Sequence, residues 1–340
     1  MDDKARSFPT GKLPLEYLER LLKEYTQTTD RLVAGPRVGE DVAVIDMGDR
    51  YMVVKTDPIT FASDQIGWYA VHVNANDVVT SGATPLWMLN TVLLPEGSTN
   101  PELVEEIFQQ LHATCQGLGI ALVGGHTEVT WGLDRPIVVG VLIGEVLRDK
   151  LLVTSGAREG DRVLLVKGIP IEGTAIIARE RREELLDRDF DAAMLDRAAN
   201  YLFDPGISVV EAAYIAREHP GVNAMHDPTE GGLATGLHEL AFAAGTGLIL
   251  YKERVDILPE GQALCEAFDL DPLGVIASGA LLVSVRSEDA DDLVSRYTEA
   301  GIACAHIADL VPAECGITIL DGDTERALPR YDNDEIARLF

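Results

Sequence analysis

The chain has 340 residues, of which 46% are hydrophobic, and its formal net charge at pH 7 is −28. This length is typical of two domains, and the large excess of acidic side chains argues against nucleic acid as a partner. No segment has the roughly 20 consecutive apolar residues of a membrane span, and residues 1–11 lack the apolar core of a signal peptide, so we expect a cytoplasmic protein without a membrane partner.

The first half of the chain alternates between helical and strand-like patterns. Apolar residues recur at helical spacing over 13–25, and a linker over 26–36 follows. Two β-type segments, 42–45 and 51–55, are separated by a polar turn and predict a hairpin. The other elements predicted in this half are helices over 67–81 and 101–118 and strands over 86–94, 121–123 and 137–145. The pattern therefore predicts a mixed α+β unit.

A break in the apolar pattern over 148–160 marks the boundary to a second α/β unit. Its predicted strands are 163–166, 247–250, 280–285, 303–310 and 316–320, and its predicted helices start at 173 and cover 207–218, 232–244 and 288–300. The charged segment 179–191 is typical of a solvated helix. We predict an amino-terminal helix and linker (1–36), an N-terminal domain (37–150), a C-terminal domain (151–325) and a tail (326–340).

Acidic side chains stand at five points where an apolar run ends. The five motifs are Gly39-Glu40-Asp41, Thr56-Asp57, Asn76-Asp77, Gly124-Gly125-His126-Thr127-Glu128 and His226-Asp227-Pro228-Thr229-Glu230-Gly231-Gly232. Carboxylates that gather at the end of a sheet repel one another and repel phosphate, so hard cations must lie among them. The motifs therefore predict one divided magnesium site and a magnesium-nucleotide enzyme.

Three of these motifs lie in the N-terminal half before residue 80. Asp41 enters a buried strand, where an unpaired carboxylate is costly, but an ordinary turn aspartate fits the pattern equally well. Asp57 follows a predicted strand, at the position where α/β proteins bind ligands. Asn74 and Asp77 share one helix face with Asn76 beside them, and their partners are either a ligand or a polar network between helices.

The glycine pair Gly124-Gly125 follows the predicted strand 121–123 and provides backbone amides beside His126, Thr127 and Glu128. Such a nest suits phosphate or its metal ion, although two glycines alone can simply form a turn. The motif therefore predicts a second part of the same nucleotide site, with the turn as the alternative.

The motif around Asp227 precedes the predicted helix 232–244. Asp227 is a candidate metal ligand, and Gly231 and Gly232 bring backbone amides to a helix amino terminus, which attracts phosphate. Thr229 is either a ligand to the nucleotide or a structural N-cap. This motif combines a carboxylate, a hydroxyl and amides, so it is a stronger indication of a nucleotide site than any one of these groups.

Several common signatures are missing: the GxxxxGK[ST] P-loop, the GxGxxG turn, HExxH and GxSxG. Phosphate charge must then be met by metal ions, backbone amides and lysines such as Lys12, Lys55 or Lys167. Lys12 is favoured because it lies on an amino-terminal segment that could fold over a nucleotide, although each lysine alone also fits a surface charge. For Trp131 we expect a half-buried ring rather than a substrate platform. The four cysteines are expected to be reduced core residues: Cys115, Cys265, Cys304 and Cys315.

In this order the motifs resemble a known superfamily over nearly the whole chain. It contains aminoimidazole ribonucleotide (AIR) synthetase, thiamine-monophosphate kinase, selenophosphate synthetase and the hydrogenase maturation protein HypE, and it has the PurM-like fold. The likeness to HypE-like proteins rests on Lys55-Thr56-Asp57, Asn74-Ala75-Asn76-Asp77-Val78, Gly124-Gly125-His126-Thr127-Glu128 and His226-Asp227-Pro228-Thr229-Glu230-Gly231-Gly232. The resemblance implies an N-terminal domain with a mixed sheet that dimerises, with strand 86–94 as a contact, and a C-terminal α/β domain beside it.

The resemblance also implies ATP in the cleft between the domains and Mg²⁺ on its phosphates. Carried over by position, the metal ligands are Asp41, Asp57, Asp77 and Asp227, with Glu128 as a possible substitute because His126 stands where many relatives have an acidic residue. The implied cofactor-binding residues are Lys12, Lys55, Thr56, Asn74, Asn76, Gly124, Gly125, Thr127, Thr229, Gly231 and Gly232. Asp57, Asp227 and His126 are implied as catalytic residues.

The carboxy-terminal tail departs from the HypE pattern, in which Pro-Arg-x-Cys carries the thiol that becomes a thiocyanate. Here Pro329-Arg330 is followed by Tyr331, Asp332 and Asn333, and we expect no cyanide-forming reaction on this chain. We expect an ATP-dependent enzyme that transfers the γ-phosphoryl group to a small-molecule substrate. The alternatives are a non-catalytic, ATP-gated assembly factor for a partner metalloenzyme and a magnesium-dependent phosphatase.

Overall fold

The structure, a computed structural model, describes residues 8, 13, 15–35, 41–60, 64–331 and 333–340. Lys12, Gly39 and Glu40, all of which belong to the predicted site, lie outside the described residues. The described chain forms two units, each built on one β-sheet with helices packed against it. The predicted two-domain α/β architecture is therefore confirmed.

The N-terminal sheet has six strands in the described part of the chain, in the order β1-β2-β3-β6-β4-β5. Its strands are β1 Leu32–Ala34, β2 Ala43–Asp46, β3 Arg50–Ile59, β4 Thr84–Pro95, β5 Ala121–Thr130 and β6 Ile137–Leu147. Its helices are α1 Leu15–Tyr25, α2 Ile66–Thr80 and α3 Pro101–Gly117. Neighbouring strands are antiparallel except for β4 and β5, which are parallel because α3 connects them.

One face of this sheet is buried under α2 and α3, and the other face is only partly buried. Along β6 the inner residues Val138, Leu142 and Val146 are buried, whereas their neighbours along the strand are more exposed. Gly140 lies on the inner face, where a Cβ atom would come within 2.4 Å of the Asn74 side-chain nitrogen. The glycine lets α2 lie close to the sheet, and this packing brings the polar residues of α2 near β3.

The C-terminal sheet has seven described strands in the order β13-β12-β9-β11-β7-β10-β8. They are β7 Asp161–Val166, β8 Val222–His226, β9 Gly247–Tyr251, β10 Leu281–Arg286, β11 Cys304–Val311, β12 Ile317–Asp321 and β13 Thr324–Ala327. The helices are α4 Glu172–Glu180, α5 Arg182–Asp187, α6 Ala192–Asn200, α7 Val210–Arg217, α8 Gly232–Ala244, α9 Pro259–Ala267 and α10 Ala290–Glu299. Helix α2 of the first unit packs against α7 and β8 of the second, so the two units share a buried contact.

The predicted hairpin is confirmed, because β2 and β3 pair antiparallel, and the predicted helix 232–244 coincides with α8. Three expectations were wrong. The linker 26–36 contains β1; Asp57 lies inside β3 rather than beyond it; and residues 124–128 continue β5 instead of following it. No element was predicted at the positions of α6, β8 or β13.

Within the described residues, no helix is long and apolar enough to span a bilayer. None of the four cysteines forms a disulfide. Cys115 and Cys265 are buried as expected, and burial raises the pKa of their thiols to about 11 and about 12. These two cysteines are therefore protonated core residues, whereas Cys304 is partly buried and Cys315 is exposed, so the expected core position was wrong for Cys315. Trp131 is 84% exposed, so the expectation of a half-buried ring was wrong.

Candidate functional site

Three of the predicted metal ligands come together at the junction of the two units. Asp41 precedes β2, Asp77 lies on α2 and Asp227 follows β8, and each offers one oxygen within 4.8 Å of the others. Asp77 and Asp227 are buried, and Asp41 is half-buried. The packing of α2 against β8 brings together residues that are 150 positions apart in the sequence.

Lys55 and Asp57 extend this cluster along β3. They lie two residues apart on the same strand face, and they pair with the buried positions Leu142 and Gly140 of β6. The Lys55 ammonium is 2.9 Å from Asp77 Oδ2 and 3.6 Å from Asp57 Oδ2. Burial opposes the charge on Lys55, but Asp77, Asp57 and Asp41 outweigh it and raise the pKa of Lys55. The lysine therefore carries its charge at neutral pH and partly neutralises the aspartates.

Asp77 and Asp227 are buried next to other carboxylates, and a bound cation would relieve the repulsion between them. Burial raises the pKa of Asp77 to about 7, with Lys55 opposing this shift and Asp41 and Asp57 adding to it. Burial, followed by repulsion from Asp77 and Asp41, raises the pKa of Asp227 well above its ordinary value. Oδ1 of Asp227 is buried and has no hydrogen-bond partner. A buried oxygen without a partner is costly, so this atom fits a ligand position.

The donor set fits a hard divalent cation. The three ligand atoms are carboxylate oxygens, which Mg²⁺ prefers, whereas structural zinc sites mainly use nitrogen and sulfur ligands. The unpartnered Oδ1 of Asp227 and the raised pKa values of two carboxyl groups are the local signs that positive charge is in deficit. The predicted residues Asp41, Asp77 and Asp227 therefore form a candidate magnesium site, with Asp57 two residues beyond Lys55 on the same face of β3.

Two further residues belong to this site, and the sequence analysis did not assign them. His226 is 2% exposed, and its Nδ1 is 3.1 Å from Asp41 Oδ2 while its Nε2 is 3.1 Å from Glu239 Oε2. Burial opposes charge on the imidazole, but the two carboxylates outweigh it and raise the pKa of His226 well above its ordinary value. The sequence contained one sign of this part of the site, because Glu239 is the only acidic residue in the apolar helix α8.

The structure does not bring His126, Glu128 or Thr56 to the aspartate cluster. His126 and Glu128 pair with Thr91 and Leu93 on the outer face of the N-terminal sheet, and Thr56 pairs with Val141 on that same face. His126 Nε2 lies 3.0 Å from Glu128 Oε2, and both side chains are exposed. Within one chain these residues therefore face away from Lys55 and Asp57, which lie on the inner face.

The glycine pair of β5 has a structural reason in the sheet itself. The pairing of β4 with β5 skips Val123, and Gly124 and Gly125 both have a positive φ there. A Cβ atom on Gly125 would lie 1.9 Å from the carbonyl oxygen of Asn90. Only glycine fits at position 125, and the neighbouring Thr127 is exposed on this edge strand.

Backbone amides at the start of α8 are bonded within the chain. The Gly231 N–H donates to Asp334 Oδ2 at 2.7 Å, and the Gly232 N–H donates to the carbonyl of Thr229 at 3.0 Å. Burial raises the pKa of Asp334 to about 6. Gly231, with a positive φ, is the N-cap residue of α8, so of the two alternatives for Thr229 the structural N-cap was wrong. The Asp334 carboxylate therefore accepts a hydrogen bond from the Gly231 amide, which was expected to bind phosphate.

The asparagines of α2 and Lys167 have partners in the protein. The Asn76 side chain accepts from the Val209 N–H and donates to the Ile207 carbonyl, which matches the polar network that the sequence left open. Asn74 donates to the Ala70 carbonyl at 2.8 Å, and its Oδ1 is buried without a partner. The Lys167 ammonium donates to the carbonyls of residues 206 and 208. Of these three side chains, only Asn74 has an unpartnered polar atom.

Comparison with known proteins agrees with the two units. Residues 39–146 match the family model of the AIR synthase related protein N-terminal domain, and residues 158–319 match that of the C-terminal domain. The chain therefore belongs to the AIR synthase related family. A carbamoyl dehydratase HypE of Cupriavidus necator is 32% identical over 268 residues, which cover 76% of this chain and 72% of the relative. Within the family the chain is a HypE-like protein.

Two solved structures share the fold at low sequence identity. A HypE structure in complex with ATP has a TM-score of 0.71 and 22% identity, and the match covers 96% of this chain and 99% of that one. A HypE–HypF complex has a TM-score of 0.71 and 23% identity over 86% of this chain and 94% of that one. At this identity the likeness concerns the fold alone.

Proposed function

We propose that this protein is a magnesium-dependent, ATP-using enzyme that transfers the γ-phosphoryl group of ATP to a small-molecule substrate. The observation that carries the proposal is the convergence of Asp41, Asp77 and Asp227 within 4.8 Å, with Oδ1 of Asp227 buried and unpartnered. The HypE structure that contains ATP has the same fold and supports ATP as the nucleotide. A buried cluster of this kind suits phosphoryl transfer, in which the protein mainly positions groups and screens charge.

Each residue of the cluster has a role in this proposal. Asp41, Asp77 and Asp227 would hold Mg²⁺. Asp57 lies beside them, on the same face of β3 as Lys55. A bound Mg²⁺ would neutralise phosphate charge and orient the phosphates for transfer. Lys55 lies 2.9 Å from Asp77, and its ammonium can turn from the carboxylates toward a phosphate oxygen once a cation replaces it. Asn74 offers a buried amide oxygen at the same side of α2.

The acceptor is proposed to be a small molecule rather than a thiol of the tail. Two positions after Arg330 the chain has Asp332, whereas the thiol of the HypE tail would stand there. Residues 333–340 bind the C-terminal unit through Asp334 and through the buried Ile336. The carbamoyl dehydratase activity named for the C. necator relative is therefore not our proposal for this chain.

We include a homodimer in the proposal, formed through the outer face of the N-terminal sheet. Val54, Ile143 and Trp87 lie side by side across three strands, and Val141 and Leu89 follow in the next row. These apolar side chains are partly exposed in the single chain. Self-pairing of this face around a two-fold axis would bury them. His126 and Glu128 lie on that face, so in such a dimer they would face the second subunit.

A second candidate is an ATP-gated assembly factor in hydrogenase maturation, and the HypE–HypF complex is the specific observation that favours it. In this case ATP occupancy would control docking on a partner protein, and turnover would be slow. For either role we propose a cytoplasmic location. The two candidates differ in one measurable outcome, which is whether a phosphorylated small molecule forms.

The test combines nucleotide binding with turnover. Calorimetric titration of the wild-type protein with a panel of nucleotides, with and without Mg²⁺, should show ATP binding that requires Mg²⁺. The Asp57→Ala and Asp227→Ala variants should lose magnesium-dependent ATP turnover, whereas the exposed Asp291→Ala variant, far from the cluster, should keep it. Normal turnover in both site variants would refute the enzyme proposal. Tight binding without turnover would favour the assembly factor.

A further inference from the structure

A chain of three side chains connects the candidate metal site to helix α8. Glu239 Oε2 is 3.1 Å from His226 Nε2, and His226 Nδ1 is 3.1 Å from Asp41 Oδ2. His226 ends β8 and Glu239 lies on α8, so both belong to the C-terminal unit, whereas Asp41 precedes β2 of the N-terminal unit. The imidazole is therefore a direct contact between the two units at the metal site.

The geometry gives His226 one orientation. Both ring nitrogens face a carboxylate oxygen, and the ring is 2% exposed, so it cannot turn without breaking two contacts inside the protein. Glu239 and Asp41 hold it from opposite sides, because each ring nitrogen has one carboxylate oxygen at hydrogen-bond distance. If Glu239 were removed, Nε2 would lose its partner in a buried position, which costs free energy until the ring moves. The ring would then no longer hold Asp41.

We propose that Glu239 is a positioning residue of the metal site, which acts through His226 to fix the Asp41 carboxylate across the boundary between the units. The inference rests on the proposed function, because it concerns the same magnesium site. Asp41 needs this support more than the other two ligands do. Asp77 lies on a buried helix and is held by Lys55, and Asp227 is buried directly after a strand, whereas Asp41 is half-buried and precedes its strand.

The test measures Mn²⁺ binding in the absence of nucleotide, by electron paramagnetic resonance on the full chain. The Glu239→Ala variant should bind Mn²⁺ about 10-fold more weakly than wild type, in the range observed for residues that orient metal ligands. Glu239→Gln keeps the length of the side chain, and its amide can pair with Nε2 in either tautomer, so it should restore binding to within about twofold of wild type. Glu239→Asp shortens the side chain by one methylene and should behave like the alanine variant.

A matched control is present in α10. His219 is 3% exposed, and its Nε2 is 3.0 Å from Asp292 Oδ2, so this is also a contact between a buried histidine and a carboxylate, but neither residue belongs to the aspartate cluster. Asp292→Ala should leave the Mn²⁺ affinity unchanged. The comparison separates loss of any histidine–carboxylate contact from loss of the one that ends at Asp41.

Each outcome decides one claim. If wild type binds no Mn²⁺, the proposed metal site fails and the positioning role fails with it. If wild type binds Mn²⁺ and both Glu239→Ala and Glu239→Asp bind it equally well, the positioning role alone is refuted. A purely structural role would lower the melting temperature of Glu239→Ala and leave the Mn²⁺ affinity of the folded protein unchanged, which also refutes the inference. If Glu239→Ala does not fold, the contrast between Glu239→Asp and Glu239→Gln decides.

Discussion

Removing the charge of Asp227 should stabilise the metal-free protein and abolish its response to magnesium. In the metal-free protein Oδ1 of Asp227 is buried without a partner, and Asp41 and Asp77 are close enough to repel its charge. Asparagine has nearly the same shape, carries no charge, and has an amide that can donate to either neighbouring carboxylate. Asp227→Asn therefore relieves repulsion without leaving a cavity.

The size of the effect follows from the unpartnered oxygen. A buried polar atom without a partner costs about 1–3 kcal/mol, so the variant should gain about that much stability in EDTA at pH 8. For domains of this size 1 kcal/mol corresponds to about 2–4 °C, which gives a rise in melting temperature of about 2–12 °C. With Mg²⁺ at 100 times its dissociation constant, wild type should gain about 2.7 kcal/mol, whereas the variant should gain nothing.

The assay is thermal or urea unfolding of both proteins with EDTA and with Mg²⁺. Asp161→Asn is the matched control, because Asp161 is equally buried but its oxygens accept from Asn223, Ser284 and the Arg158 N–H. That substitution should lower stability by about 1–3 kcal/mol, because it disrupts a satisfied network. An Asp227→Asn protein that is less stable than wild type in EDTA, or that responds to Mg²⁺ as wild type does, would refute the reasoning.

Three further tests, two of them with a control substitution, address separate features of the protein. Gly125→Ala places a Cβ atom 1.9 Å from the Asn90 carbonyl oxygen, so it should lower the free energy of unfolding by at least about 3 kcal/mol or prevent folding. In the control Gly124→Ala the Cβ atom meets nothing within 4 Å, and the loss should be about 1 kcal/mol. Equal melting temperatures of the two variants would contradict this. Burial raises the pKa of Glu172 to about 7, so the wild-type protein should gain stability as the pH falls from 8 to 5. In urea unfolding, Glu172→Gln should lack this gain and should be more stable than wild type at pH 8 by up to about 3 kcal/mol. A variant less stable than wild type at pH 8 would contradict the raised pKa. Val141→Lys on the outer sheet face should convert a dimer to a monomer in sedimentation velocity, whereas Val33→Lys on the exposed edge strand β1 should not; a monomeric wild type would refute the proposed dimer.

The sequence predicted the elements that carry a strong local signal. Helix α8 follows two glycines and has a continuous apolar pattern, so its bounds were predicted correctly. The four aspartates were found because each is a charged residue at the end or in the middle of an apolar run. Strand β8 was missed because it is five residues long and contains Asn223, so it has no clear period.

The parts that the sequence could not predict depend on strand pairing and on distant contacts. His126, Glu128 and Thr56 lie on the outer sheet face because of the register of β3, β5 and β6, and no local pattern specifies that register. The amide of Gly231 is bonded to Asp334, which is 103 residues further along the chain. Glu239 was visible as a lone acid in α8, but its partner across His226 follows only from the packing of the two units.

The central claim is that Asp41, Asp77 and Asp227 bind a divalent cation that holds the phosphates of ATP. Anomalous diffraction from crystals grown with Mn²⁺ and a non-hydrolysable ATP analogue tests it most directly. The account predicts a manganese peak within about 2.0–2.3 Å of an oxygen of each of these residues, with the triphosphate at the same ion. A bound nucleotide with no manganese at the three aspartates, or with manganese at another site, would contradict it.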